Sequence, residues 1–360
     1  MMTTFTGALR NENACKSEQA FREIRSMLHI HNGGSTAGTL TEFGFPGEHK
    51  AFQEVLMDGP ARGGLSPDEW LEVRARFLAE AYELKLKNCE KDLQEQEAWL
   101  RRFSEHDETT LWFEHDLFCQ INLIYLLDWF SNQSMGKTRL SLICIGEFKD
   151  VEDFRGLGQL TGEQLASLFD GRHEVTGQEL SLAARVWAAY CSADPGEIAR
   201  LIDDDTSVIP FLGHALRLHL MRFPSVKNGL GRIENTALEM ISSGAIGFKS
   251  LFPRFGEAEP AYGMGDSQFW CALKRMGQVR HPLIAITISG LGDDDPAVKS
   301  NRYYDASFQL TETGRAVLAG ERDFIELNGI DHWLGGMHLR DEGGFWRWDD
   351  QVGQLTRGNP

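Results

Sequence analysis

The 360-residue sequence has no apolar run near the roughly 20 residues that a bilayer crossing needs. That excludes a helical membrane span. Its six cysteines (15, 89, 119, 144, 191 and 271) are scattered, with no C-x-x-C pair. Neither a disulfide framework nor a zinc site is indicated. Cys119 and Cys144 lie inside apolar segments, where a reduced thiol serves as a small core residue. Basic residues are scarce, with 36 Lys and Arg against 53 Asp and Glu and a net charge of −17. Such a chain repels a polyanion over much of its surface. The exception is 214–290, with nine basic and five acidic residues, the one stretch where nucleic acid is worth considering. The opening residues hold neither a signal-peptide core nor a cleavage site, so a soluble cytoplasmic protein is expected.

The familiar nucleotide motifs are missing too. "MLHIHNGGSTAGTL" (27–40) is a buried-looking strand running into a glycine-rich turn. Gly33 to Gly38 supplies G-x-x-x-x-G, but Thr39 and Leu40 stand where a P-loop has Lys and Ser or Thr. The G-x-G-x-x-G spacing is also absent. In "MGKTRL", Gly136-Lys137-Thr138 precedes a strand instead of following one, so a surface turn is the better reading. No G-x-S-x-G elbow occurs, and His29 and His31 form only a weak H-x-H.

What is present is an alternation of strand and helix signals. "MLHIH", "EVLMD" (54–58), "TTLWFEH" and "RLSLICIGEF" read as strands near 27–31, 54–57, 110–114 and 140–145. Pro67 to Phe103 reads as a long amphipathic helix, and 117–131 also has helical length. Apolar strands separated by helices predict a parallel sheet covered on both faces. Residues 151–223 read as a helical connector. From Pro224 on, three helices and two strands follow the layout of a winged helix-turn-helix, with 266–275 as its recognition helix. The end of the chain reads as an aromatic β-hairpin around Gly343-Gly344.

The blocks "LHIHNGGSTAGTL", "DGPARGGL", "LWFEHDLFCQINLIYLLD", "FRGLGQLTGEQLASLF", "NGLGRIENTALEMI", "LTETGRAVLAG" and "HWLGGMHL" occur in an order that resembles a bacterial family of unknown function. The resemblance implies a Rossmann-like N-terminal domain and transfers no activity. The expected organisation is a polar segment 1–25, a Rossmann-like α/β domain 26–150, the connector 151–223 and a winged-helix-like α+β domain 224–360.

In open parallel sheets, ligands bind beyond the carboxyl ends of the strands. Those ends offer His31-Asn32, Asp58, Glu114-His115-Asp116 and Glu147, with Gln120 one helical turn beyond Asp116. The turn Gly33, Gly34, Ser35 and Thr36 has amides and hydroxyls that suit a phosphate or carboxylate at a helix start. The first expectation is a protein that binds a small phosphate- or nucleotide-like anion and passes its occupancy through 224–320 to a DNA or protein partner. Lys274, Arg275 and Arg280 would be the DNA contacts, a thin supply for groove reading. The alternative is a hydrolase or transferase acting on a phosphate-containing substrate. Asp58, His115 and Asp116 would then serve as base or as ligands of a divalent cation. The plainer readings are that Asp116 caps the following helix and Asp58 fixes the Gly-Pro turn.

Overall fold

A computed structural model describes residues 26–244, 247–288, 302–340 and 346–357. The expected polar segment 1–25, the acidic "GDDDP" of the sequence at 292–296 and the expected Gly343-Gly344 turn lie outside the described residues. The chain divides into two compact units, and the division differs from the expected one. The first takes the chain up to Glu54, then Gln94–Glu114 and Leu126–Ser181. The second takes Val55–Leu93, His115–Tyr125 and the chain from Leu182 onward. The expected connector is therefore shared between the two units and is not a body of its own. No described helix is long and apolar enough to cross a membrane.

The first unit is built on a five-stranded sheet. Its strands are β1 (Met27–Asn32), β2 (Glu48–Phe52), β4 (Glu108–Glu114), β5 (Arg139–Ile145) and β6 (His173–Glu174), while β3 (Gly59–Pro60) belongs to the second unit. The order is β2-β1-β4-β5-β6, with the first four parallel and β6 antiparallel. β1 is buried at five of six positions and β4 at six of seven, as central strands covered on both faces require. α1 (Gly34–Phe43) makes the β1 to β2 crossover. A core of Leu40, Trp112, Ile143, Leu157, Leu160 and Leu165 joins α1 and α5 (Gly162–Leu168) to one sheet face.

Three expected strands stand as read. The fourth does not. β2 is "EHKAF", an edge strand with only Phe52 buried, so its polarity hides it from a search for apolar runs. "EVLMD" buries Leu56 and Met57 in the second unit without joining this sheet.

The expected long helix after Pro67 is two, α2 (Pro67–Ala81) and α3 (Leu86–Leu100), with Glu83 at φ 56° between them. Ser66 and Glu69 form a capping box at the start of α2. α3, α4 (Leu117–Ser131) and α6 (Gly177–Tyr190) contribute residues to both units. The second unit continues with α7 (Gly196–Asp203) and α8 (Leu212–Leu220). Next come α9 (Arg232–Ser242), α10 (Phe248–Ala258) and α11 (Asp266–Gly277), followed by the antiparallel pair β7 (Ile284–Ile288) and β8 (Ala306–Leu310). An isolated bridge joins Gly247 to Ser307. Thr311 caps α12 (Glu312–Ala319), and α13 (Phe324–Asn328) leads to β9 (Asp331–Gly335). β9 pairs with β3 and with β10 (Met337–Arg340), while β11 (Trp346–Asp349) pairs with β12 (Gln354–Arg357). The aromatic terminus thus makes two hairpins, and neither pairs the strands on the two sides of Gly343-Gly344.

Candidate functional site

In the order β2-β1-β4-β5 the chain steps outward from β1 to β2, then returns to the other side of β1. The connections after β1 and after β4 therefore diverge, the arrangement in which open α/β sheets place a ligand crevice between the two carboxyl ends. Asn32, Gly33, Gly34, Ser35 and Thr36 lie on the β1 side. Gly33 has φ 96° and ψ 166°, a conformation that a side chain would strain, and its N–H donates to the Phe52 carbonyl at 3.1 Å. No side chain caps α1, and Gly34 and Ser35 are exposed, while Thr36 is buried. The helix thus starts from a glycine that has no side chain to cap it, with the positive end of the helix dipole at its first amides.

On the β4 side, Glu114 Oε1 accepts the Leu157 N–H at 2.7 Å. Gly156 lies against the same carboxylate so closely that a Cβ there would overlap it, and a Cβ on Gly158 would come within 3.4 Å of Ser35 Oγ. The segment 156–158, which follows β5, therefore reaches both sides of the crevice. The sequence reading missed it, although "GLG" shortly after a strand was a usable signal. Glu147, an expected ligand, is exposed beyond the end of β5.

His31, also an expected ligand, is fully buried. Its Nε2 meets His49 Nδ1 at 3.0 Å, and His49 Nε2 meets the Phe45 carbonyl at 3.0 Å. His29 stacks on His49 with ring centroids 4.7 Å apart, and Trp112 Nε1 donates to His29 Nδ1 at 3.2 Å. Burial, then the neighbouring His49, drives the His29 pKa to about 3 against the opposing pull of the Pro46 carbonyl. Burial followed by His49 and His29 likewise takes His31 well below its ordinary value. The H-x-H pair therefore supplies two of the three rings of a neutral, packed imidazole stack, and His31 is not presented to a ligand.

The remaining expected acid–base residues fall in the second unit. Asp58 immediately precedes β3 and belongs to no strand of the large sheet. Its Oδ1 accepts Arg222 Nη2 at 2.6 Å, and its Oδ2 accepts Gln268 Nε2 at 2.8 Å and the Tyr82 hydroxyl at 3.2 Å. Arg222 Nη1 donates to the Met57 carbonyl at 2.6 Å, and Arg74 Nη1 to the Asp58 carbonyl at 2.7 Å. Burial and then the Asp58 charge push the Tyr82 hydroxyl far above the usual phenol range. This carboxylate is the hub of a buried network and has no oxygen left over for a substrate proton. Asp116 accepts the Cys119 N–H at 2.8 Å, a helix cap, and burial raises its pKa. His115 packs edge-on against Phe211 with centroids 6.0 Å apart, and Gln120 is fully buried in α4.

The expected DNA contacts are turned to internal use. Lys274 pairs with Glu83 and Arg275 with Glu234, each at 2.7 Å, and no residue of α11 is exposed. All twelve positions are buried or half-buried, which leaves little of the helix to lay in a major groove. Arg280 is exposed in the turn that follows.

No protein-family model matches the chain. A search of curated proteins likewise gives no match.

Proposed function

We infer that the protein binds a small phosphate- or nucleotide-like anion in the crevice between β1 and β4. The observation that carries this reading is topological: the strand order puts the uncapped, glycine-rich start of α1 at the point where the connections diverge. Amides and hydroxyls from Gly33 to Thr36 cradle the anion. The Leu157 and Gly158 amides complete the site once the ligand takes over the Leu157 N–H from Glu114. On this reading the first unit is Rossmann-like, with hydrogen-bond donors in place of the missing P-loop lysine.

The helices α9, α10 and α11 with the β7–β8 pair form the winged-helix-like module, which passes occupancy to a partner. The covered α11 favours a protein over DNA in that role. The hydrolase or transferase reading draws less support, because the Asp58 and Asp116 carboxylates are already engaged in holding structure together.

Thermal melts with inorganic phosphate, ADP and ATP test the binding reading. A ligand at 100 times its Kd contributes about 2.7 kcal/mol of stability. In Gly34→Val the added Cβ comes within 3.3 Å of the movable end of Gln53 and near no backbone atom, so the unliganded fold should survive while the amides are screened. Wild-type stabilisation that disappears in this variant is the expected result. Equal stabilisation of both proteins would place the ligand elsewhere.

A further inference from the structure

The second unit contains a cavity of about 580 Å³ that neither the crevice nor the Asp58 network requires. Its walls come from the end of α2, the turn before α9, α9, α11, α13 and the β9–β10 pair. Leu230, Met276, Val279, Phe324, Ile330 and Leu339 make much of the lining apolar. The volume suits a drug-sized organic molecule, and such sites usually set a few polar groups in an apolar wall.

The polar groups are unevenly committed. Arg222 is fixed by Asp58 and the Met57 carbonyl, and Lys274 by Glu83. Arg275 uses a single N–H on Glu234 and keeps 38% of its side chain exposed, so most of its planar fork remains available. His332 also lines the cavity. Burial, then the charges of Arg275 and Arg222, holds its pKa well below the ordinary histidine value, so the ring is neutral and can donate one hydrogen bond. A negatively charged acceptor would satisfy that donor and the Arg275 fork together. Glu80, Glu234 and Asp331 also border the cavity, and a second negative charge on the ligand would face them.

We propose that this cavity is a binding site for a small monoanionic organic acid. One carboxylate sits between Arg275 and His332, and an apolar body lies against Leu230, Met276 and Leu339. The site is independent of the anion crevice of the first unit.

The test is calorimetric titration of the full chain with acetate, hexanoate, 3-phenylpropanoate, phenyl phosphate and 3-phenylpropanamide. Affinity should rise along the three acids, and the amide and the phosphate should each bind at least about 10-fold more weakly than 3-phenylpropanoate. Arg275→Met combined with Glu234→Gln, which removes both charges together, should weaken that acid by a similar factor. Val279→Trp should fill the cavity and block binding, whereas Gly34→Val should leave it unchanged. No binding of any acid at millimolar concentration would overturn the proposal. So would equal binding of acid and amide, tighter binding of the phosphate, or undiminished affinity in the double variant or in Val279→Trp.

Discussion

One carboxylate in each unit, Glu108 in the first and Asp58 in the second, is held by arginine, and the two are held differently. In the first, Glu108 at the start of β4 accepts Arg172 Nε at 2.7 Å, Ser141 Oγ at 2.6 Å and the Arg139 guanidinium. Burial alone would raise its pKa, but these donors bring it down to about 2. Its arginines keep 50% and 22% of their side chains exposed. In the second, Asp58 is held by Arg222, which is only 4% exposed. Glu108 thus pairs with charges that can still reach water, whereas Asp58 neutralises one that cannot. Removing the acid should be tolerable in the first case and severe in the second.

Truncation should expose that asymmetry most strongly. Asp58→Ala leaves the Arg222 charge buried without a partner and should cost about 3–5 kcal/mol in denaturant unfolding. Glu108→Ala, with arginines that can turn toward solvent, should cost about 1–3 kcal/mol. The reverse ranking would break the comparison.

Acid titration sharpens it. Glu108 has a folded pKa near 2 against an ordinary 4.5, so its contribution is fully present above pH 4.5 and lost as the pH falls toward 2. His29, near 3 against 6.5, acts earlier: the unfolded chain takes up its proton first, so stability falls from pH 6.5 down toward 3. Glu108→Gln should therefore flatten the loss below pH 4.5 and leave the decline between pH 6.5 and 4.5 intact. Unfolding midpoints measured across pH 7 to 2 would show this, and a variant curve parallel to wild type throughout would contradict it.

The smallest effect belongs to an exposed cap. Ser66→Ala removes the side chain that accepts the Glu69 N–H and should cost about 1 kcal/mol. A loss as large as that of Asp58→Ala would mean that the buried carboxylate has no special standing.

The same contrast governs what could be read in advance. β1, β4 and β5 are apolar central strands, and their alternation with helices made a parallel sheet legible, along with the glycine turn after β1. β2 was not legible, because an edge strand need bury little and "EHKAF" carries two charged residues. The role of Asp58 was also hidden. Its partners Tyr82, Arg222 and Gln268 lie 24, 164 and 210 residues away, and no local pattern announces such a meeting. Lys274 and Arg275 looked like groove-reading residues because sequence gives charge without direction. Their partners Glu83 and Glu234 hold them within the chain.

The most direct test of the anion crevice is amide hydrogen exchange on the full chain with and without saturating ATP. The account predicts slower exchange at residues 33–36 and 157–158, with the Asp58 network and α11 unchanged. Protection confined to other segments, with 33–36 exchanging as fast as in the free protein, would contradict it.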